Sequence, residues 1–158
     1  VVNLTFDDGD ADQMAAARVL RAHGMRGTFY IVTGAIGTNA YTTRGDLREL
    51  AAYGDEIAAH TVSHLRLPQI SPAEARRQVC DSRDILAGWG YHMTSFAYPG
   101  AAYDGPVEAI VRDCGLDSAR IGNGIRSGIC PGCAVAETIP PRNPTRYALP
   151  GRSTPHGR

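Results

Sequence analysis

Val1-Val2-Asn3-Leu4-Thr5-Phe6-Asp7-Asp8-Gly9 and Gly27-Thr28-Phe29-Tyr30-Ile31-Val32 are two apolar runs of strand length. The segment between them carries Met14, Ala17, Val19 and Leu20 at helical spacing and stops at Gly24. Runs rich in β-branched and aromatic residues, closed by Gly or Asp, read as strands, and apolar residues recurring every three or four positions read as one face of a helix. Strand, helix, strand in that order predicts parallel pairing, because the helix returns the chain to the same end of the sheet. Asp10 or Asp12 stands where a helix cap is needed.

The same rhythm continues outward from this unit. Thr43 or Asp46 caps a short helix through Leu47, Leu50 and Ala51 that Gly54 ends, and Glu56-Ile57-Ala58-Ala59 is the third strand. Ser71-Pro72-Ala73-Glu74 has the capping-box pattern and opens the longest helix, to about Leu86. A fourth strand over 94–98 is stopped by Pro99-Gly100, a helix follows over 104–114, and a fifth strand runs over 117–121. Beyond Gly122, glycines and prolines break any long element, leaving loops, one short strand near 135–139 and a disordered tail over 152–158. The expectation is one α/β domain over 1–151 with a mostly parallel sheet.

Composition narrows the function. The chain has 158 residues, 43% hydrophobic and 20% charged, which is the make-up of one globular domain. Sixteen Lys plus Arg balance sixteen Asp plus Glu, so there is no basic field for nucleic acid or an anionic membrane, and a neutral partner such as a glycan fits better. No apolar run approaches the roughly 20 residues of a membrane span. Val1 at the start reads as a mature or excised domain whose leader has gone. Cys130-Pro131-Gly132-Cys133 reads as a redox pair, half of a zinc knuckle or a structural disulfide, and the structural reading is preferred because no second such pair follows. Cys80 with Cys114 and Cys130 with Cys133 are the expected pairings, in an exported protein.

Asp7 and Asp8 follow the first strand, and His60 and His64 follow the third. Active sites of parallel α/β folds gather at that edge of the sheet. A carboxylate with two imidazoles is a common catalytic zinc set with a position left for water, and the second carboxylate is then free to act as base.

Thr5-Phe6-Asp7-Asp8-Gly9 and His60-Thr61-Val62-Ser63-His64 resemble, residue for residue, the first two signature motifs of the polysaccharide deacetylase (NodB-homology, carbohydrate esterase family 4-like) family, in the family's order and spacing. Gly27-Thr28-Phe29-Tyr30 and 54–60 extend the resemblance, which covers 1 to about 120. It implies a distorted, incomplete (β/α) barrel and a hydrolase that removes acetyl groups from acetamides, with acetyl esters as an alternative. Asp7 would be the base, and Asp8, His60 and His64 would hold a divalent metal, zinc first and cobalt or nickel as substitutes. The implied reaction is attack of a metal-bound water on an acetyl carbonyl. The implied substrates are N-acetylglucosamine-containing polymers or acetylated xylan. The implied setting is a monomer outside the cell or in its wall, with no nucleic-acid partner and no membrane span.

Phe96-Ala97-Tyr98-Pro99-Gly100 resembles the third motif, which makes the Gly100 N–H the oxyanion donor. Ala97 stands where many members carry an arginine that orients the catalytic carboxylate, and Arg120, at the end of the next strand, is the candidate to reach Asp7 instead. The fourth motif is not recognisable in 116–120, and the fifth-motif histidine is missing. His156, with no strand before it, is not assigned as general acid. These departures leave a second reading open, a catalytically weak or inactive metal-containing glycan-binding domain. Retention of Asp7, which metal binding does not need, argues against it. His23 and His92 read as solvated, Trp89 as a cap of the core or surface, and Tyr41 and Tyr103 as loop residues able to stack on a sugar. Gly122-Asn123-Gly124 lacks the lysine and helix of a phosphate-binding loop.

Overall fold

The structure, a computed structural model, describes residues 3–121. Five strands, β1 (Leu4–Phe6), β2 (Gly27–Ile31), β3 (Glu56–Ala59), β4 (Ser95–Ala97) and β5 (Ser118–Arg120), pair in parallel in the order of the chain. Between them run α1 (Gln13–Ala22), α2 (Arg44–Ala52), α3 (Pro72–Gly88) and α4 (Gly105–Asp113). A sheet whose strands follow one another without reversal is singly wound. Right-handed crossovers then set every helix on one face, and the sheet is a sector of a (β/α) barrel. The short strand near 135–139, Cys130, Cys133, His156 and the tail over 152–158 lie outside the described residues.

Strand alternation sorts the side chains. Phe29 and Ile31 of β2, Ile57 and Ala59 of β3, Phe96 of β4 and Ala119 of β5 point to the helices and join Leu47, Leu50, Val79, Leu86, Val111 and Leu116 in the main core. Each such fully buried large side chain contributes roughly 1.5–3 kcal/mol of transfer free energy. The opposite, concave face is mostly polar. There Glu56 accepts from Thr28 Oγ1 and Ser95 Oγ, each at 2.8 Å, and Tyr30, Ala58 and Ala97 form a second small cluster.

The helix starts follow from local chemistry. Thr43 and Asp46 form a reciprocal capping box on α2, and the Asp104 side chain accepts from Val107 N on α4. Ser71 accepts from Glu74 N, but the Glu74 carboxylate turns to Arg77 and Gln78, so only half of the expected box forms. Asp12 occupies the cap position of α1 in a helical conformation without a side-chain bond. Cys80 of α3 and Cys114, just past α4, are joined in a disulfide with Cα atoms 5.0 Å apart. It ties down the turn that leads into β5.

Candidate metal centre and active site

The C-terminal rim of the sheet collects the chemistry. Asp8 lies just past β1, His60 directly follows β3, and His64 closes the loop after it. His60 Nε2 lies 3.3 Å and His64 Nε2 3.1 Å from Asp8 Oδ1, and one ligand atom from each of the three residues lies within 4.8 Å of the others.

The tautomer of His60 decides what this cluster can hold. Its Nδ1 sits 2.7 Å from the Ala97 carbonyl oxygen, which can only accept, so Nδ1 carries the proton. In the neutral ring Nε2 then presents a lone pair to Asp8 Oδ1. Among the described residues this buried oxygen has no hydrogen-bond partner. Lone pairs facing each other across 3.3 Å call for a cation between them. Around a tetrahedral zinc with bonds of about 2.0–2.1 Å, neighbouring ligand atoms are about 3.3 Å apart, close to both separations seen here. The donor set therefore fits a small divalent metal. Where the imidazoles carry a second proton instead, a hydrogen bond from His60 and the charges of His60 and His64 hold the Asp8 carboxyl below its ordinary range, against the upward push of burial.

The loop that brings in His64 is held by a residue that the sequence reading did not single out. Gln78, on α3 and 6% exposed, accepts from Val62 N at 3.2 Å and Ser63 N at 2.9 Å, and donates to Ser63 Oγ. His64 N donates to Thr61 Oγ1. The loop needs these supports, because Thr61 has φ 67 and His64 φ 56, both left-handed, and a β-branched residue rarely adopts that conformation. Asp8 itself has φ 77, which turns it away from the direction of Asp7.

Asp7 lies beside the cluster on the concave face. Arg120 donates through Nη2 to Asp7 Oδ1, and its guanidinium carbon lies 4.4 Å from the centre of the Tyr30 ring. The Arg120 side chain is 15% exposed, so the pair is partly shielded from solvent. The register explains the reach. Ala97 pairs with Arg120, both project to the concave face, and a methyl side chain on β4 leaves room for the longer one from β5. Burial pushes the Tyr30 phenol above its ordinary range, which keeps the ring neutral under the cation. Gly100 lies in the single 3-10 turn Pro99–Ala101 after β4 with φ 60, and a Cβ there would come within 3.0 Å of the Arg66 side chain.

Of the other candidates, His23 and His92 are exposed. Trp89 packs half-buried against the core with Arg44 over its ring. Tyr103 stacks on Tyr98 at 5.2 Å and packs on the core, whereas Tyr41 lines a cleft beside Asp8 and His64. No helix among the described residues is long and apolar enough to cross a membrane.

Comparison with known proteins gives a consistent set of likenesses. A family model described as polysaccharide deacetylase matches residues 1–119. The protein YxkH of Bacillus subtilis is 30% identical over 105 residues, 65% of this chain and 38% of that protein. A peptidoglycan-N-acetylglucosamine deacetylase of Bacillus cereus is 29% identical over 100 residues, 62% of this chain and 35% of its own. The solved structure of the Streptococcus pyogenes deacetylase PplD in complex with acetate has a TM-score of 0.71 at 27% identity, covering 80% of this chain and 56% of that one. The chain thus spans little more than a third of these two curated relatives and about half of the solved chain.

Proposed function

We propose that this chain, which belongs to the polysaccharide deacetylase family, hydrolyses acetyl groups from a carbohydrate with a divalent metal held by Asp8, His60 and His64. The observation that carries the reading is the convergence of these three donors on one point beside the Asp7–Arg120 pair. When bound, the metal would polarise the acetyl carbonyl and lower the pKa of water, and zinc suits the ligand set, with cobalt or nickel as substitutes. The Ala97 carbonyl fixes the His60 ring, which keeps its Nε2 aimed at the cluster. Arg120 occupies Asp7 Oδ1 and orients the carboxylate, which leaves Oδ2 to take the proton of the attacking water. The Gly100 N–H is the donor we assign to the oxygen that becomes negative as the carbonyl is attacked. Collapse of the adduct breaks the C–N bond as the proton taken by Asp7 passes to the leaving nitrogen, which releases acetate and leaves the amine on the sugar.

The substrate we favour is an N-acetylglucosamine-containing polymer. The name of the Bacillus cereus relative and the zero net charge of the chain support it, with acetylated xylan as the ester alternative. The Cys80–Cys114 disulfide supports an oxidising setting outside the cytoplasm, at or near the cell wall.

Two variants test the assignment of roles. Asp7→Asn should abolish acetate release with metal content nearly intact, whereas His64→Ala should lower both. Near wild-type acetate release from Asp7→Asn would remove Asp7 from the mechanism.

A further inference from the structure

Arg120 and Asp7 come from opposite ends of the sheet. Arg120 closes β5 and Asp7 follows β1, the last and the first strand of the five-stranded order. Neighbouring strands lie about 4.8 Å apart, so in a flat sheet the two positions would be separated by about 19 Å, beyond the reach of their side chains. The curl of a barrel sector shortens that distance, yet the guanidinium still has to pass over the strands between before it meets the carboxylate.

The sequence leaves a path for it. On the concave face β4 carries Ala97 and β3 carries Ala58, both buried, and both pack with Tyr30 of β2. Ala97 pairs with Arg120, and Ala58 pairs with Tyr30. The two middle strands therefore form a bare trough between an arginine on one side and an aromatic ring on the other. Across it the guanidinium carbon of Arg120 lies 4.4 Å from the centre of the Tyr30 ring. Arg120 Nε is buried and has no hydrogen-bond partner among the described residues. A cation withdrawn from water in this way gains more from an aromatic face than an exposed one does.

The ring itself is anchored. Tyr30 is 5% exposed, and its phenol is hydrogen-bonded with Ser95 as well as with Arg120. Ser95 Oγ in turn donates to Glu56 Oε1 at 2.8 Å, and Thr28 Oγ1 donates to the other carboxylate oxygen, also at 2.8 Å. Groups on β2, β3 and β4 thus fix the platform against which the arginine lies.

We propose that Tyr30 is a positioning residue for the hydrolysis: across the Ala58–Ala97 trough its ring holds the Arg120 guanidinium against Asp7 Oδ1. Without the ring the long arginine side chain regains rotamer freedom, and the carboxylate loses a partner of fixed direction. The proposal rests on the reading above that Asp7 acts as the base of a deacetylase.

The test measures kcat and KM of the zinc-loaded chain on a tetramer of N-acetylglucosamine, together with the Arg120 Nε–H signal in nuclear magnetic resonance. Tyr30→Leu should lower kcat about tenfold and leave KM within about twofold. Tyr30→Phe, which keeps the ring but not the phenol oxygen, should stay within about threefold of the wild-type kcat. In an Arg120→Ala background Tyr30→Leu should change kcat by less than about twofold, because the group that it positions is gone. An unchanged kcat in Tyr30→Leu, or a loss of the full size that persists in the Arg120→Ala background, overturns the proposal. The Nε–H signal separates it from the deacetylase reading, which fails by itself if the wild type releases no acetate. In the wild type the ring current of Tyr30 should displace that signal from the position of a solvated arginine, and Tyr30→Leu should return it there. A wild-type signal at the solvated position overturns the platform even where the variant does not fold.

Discussion

Gln78→Leu should weaken metal binding although Gln78 lies on a helix and is not one of the converging donors. The side chain is 6% exposed and accepts from two consecutive backbone N–H groups, Val62 and Ser63, on the loop between the two histidines. Leucine has a similar volume, so α3 should stay packed and the change is mainly the loss of these bonds. Each N–H left without an acceptor costs about 1–3 kcal/mol when buried. Val62 is half-buried and Ser63 exposed, so water replaces part of the loss and the lower end applies, roughly 2 kcal/mol for the pair. That energy helps to hold Thr61 and His64 in left-handed conformations, together with the bond from His64 N to Thr61 Oγ1. Without it His64 should leave the cluster for much of the time, with zinc affinity falling about 10–100-fold, as is usual when a residue supporting a ligand is removed. Zinc titration against a competing chelator reads the affinity, and urea unfolding reads the stability. Gln78→Glu, which keeps an oxygen acceptor, should retain most of the affinity. Gln78→Leu with zinc affinity within about twofold of wild type would refute the clamp.

Replacing both Cys80 and Cys114 by Ala opens a loop with a sequence separation of 34. On the chain-entropy account this costs up to about 4 kcal/mol in urea unfolding, and an unmoved midpoint would contradict the cross-link. Arg120→Ala should lower kcat at least about tenfold, since a disoriented base loses part of the roughly 10²–10⁴ that such a group supplies. Arg120→Lys should recover little of it, because an ammonium cannot reproduce the planar stacking on Tyr30, and unchanged activity in Arg120→Ala would reject the pairing as functional. Tyr30 has its pKa raised by burial, so its contribution to stability is fully present below the unfolded value of about 10 and is lost as pH rises through the folded value. Wild type should therefore lose stability above pH ~10 in a way that Tyr30→Phe does not, and identical alkaline profiles would contradict that burial effect.

What could be read from the chain was local. Met14, Ala17 and Leu20 are buried on one face of α1 as their spacing predicts, whereas Val19, read with them, is 59% exposed, and Thr43, Ser71 and Asp104 cap their helices because the acceptor and the N–H that it serves are three residues apart. The strand-helix alternation carried the parallel order, and the early sequence motifs led to Asp8, His60 and His64. Contacts between distant parts of the chain were not legible. Gln78 looks like any polar residue on a helix, and only the packing of α3 against the histidine loop shows that it faces inward. The bonds from Thr28 and Ser95 to Glu56 depend on strand register, which no single strand encodes. Tyr103 reads from sequence as an exposed loop aromatic, yet it is stacked on Tyr98.

Acetate release from an oligomer of N-acetylglucosamine by the 158-residue chain, before and after exhaustive chelation and again after zinc is restored, is the most direct test of the central claim. The account predicts release that disappears with the metal and returns with it. Undiminished release from protein shown by elemental analysis to be metal-free, or no release from the zinc-loaded protein, would contradict it.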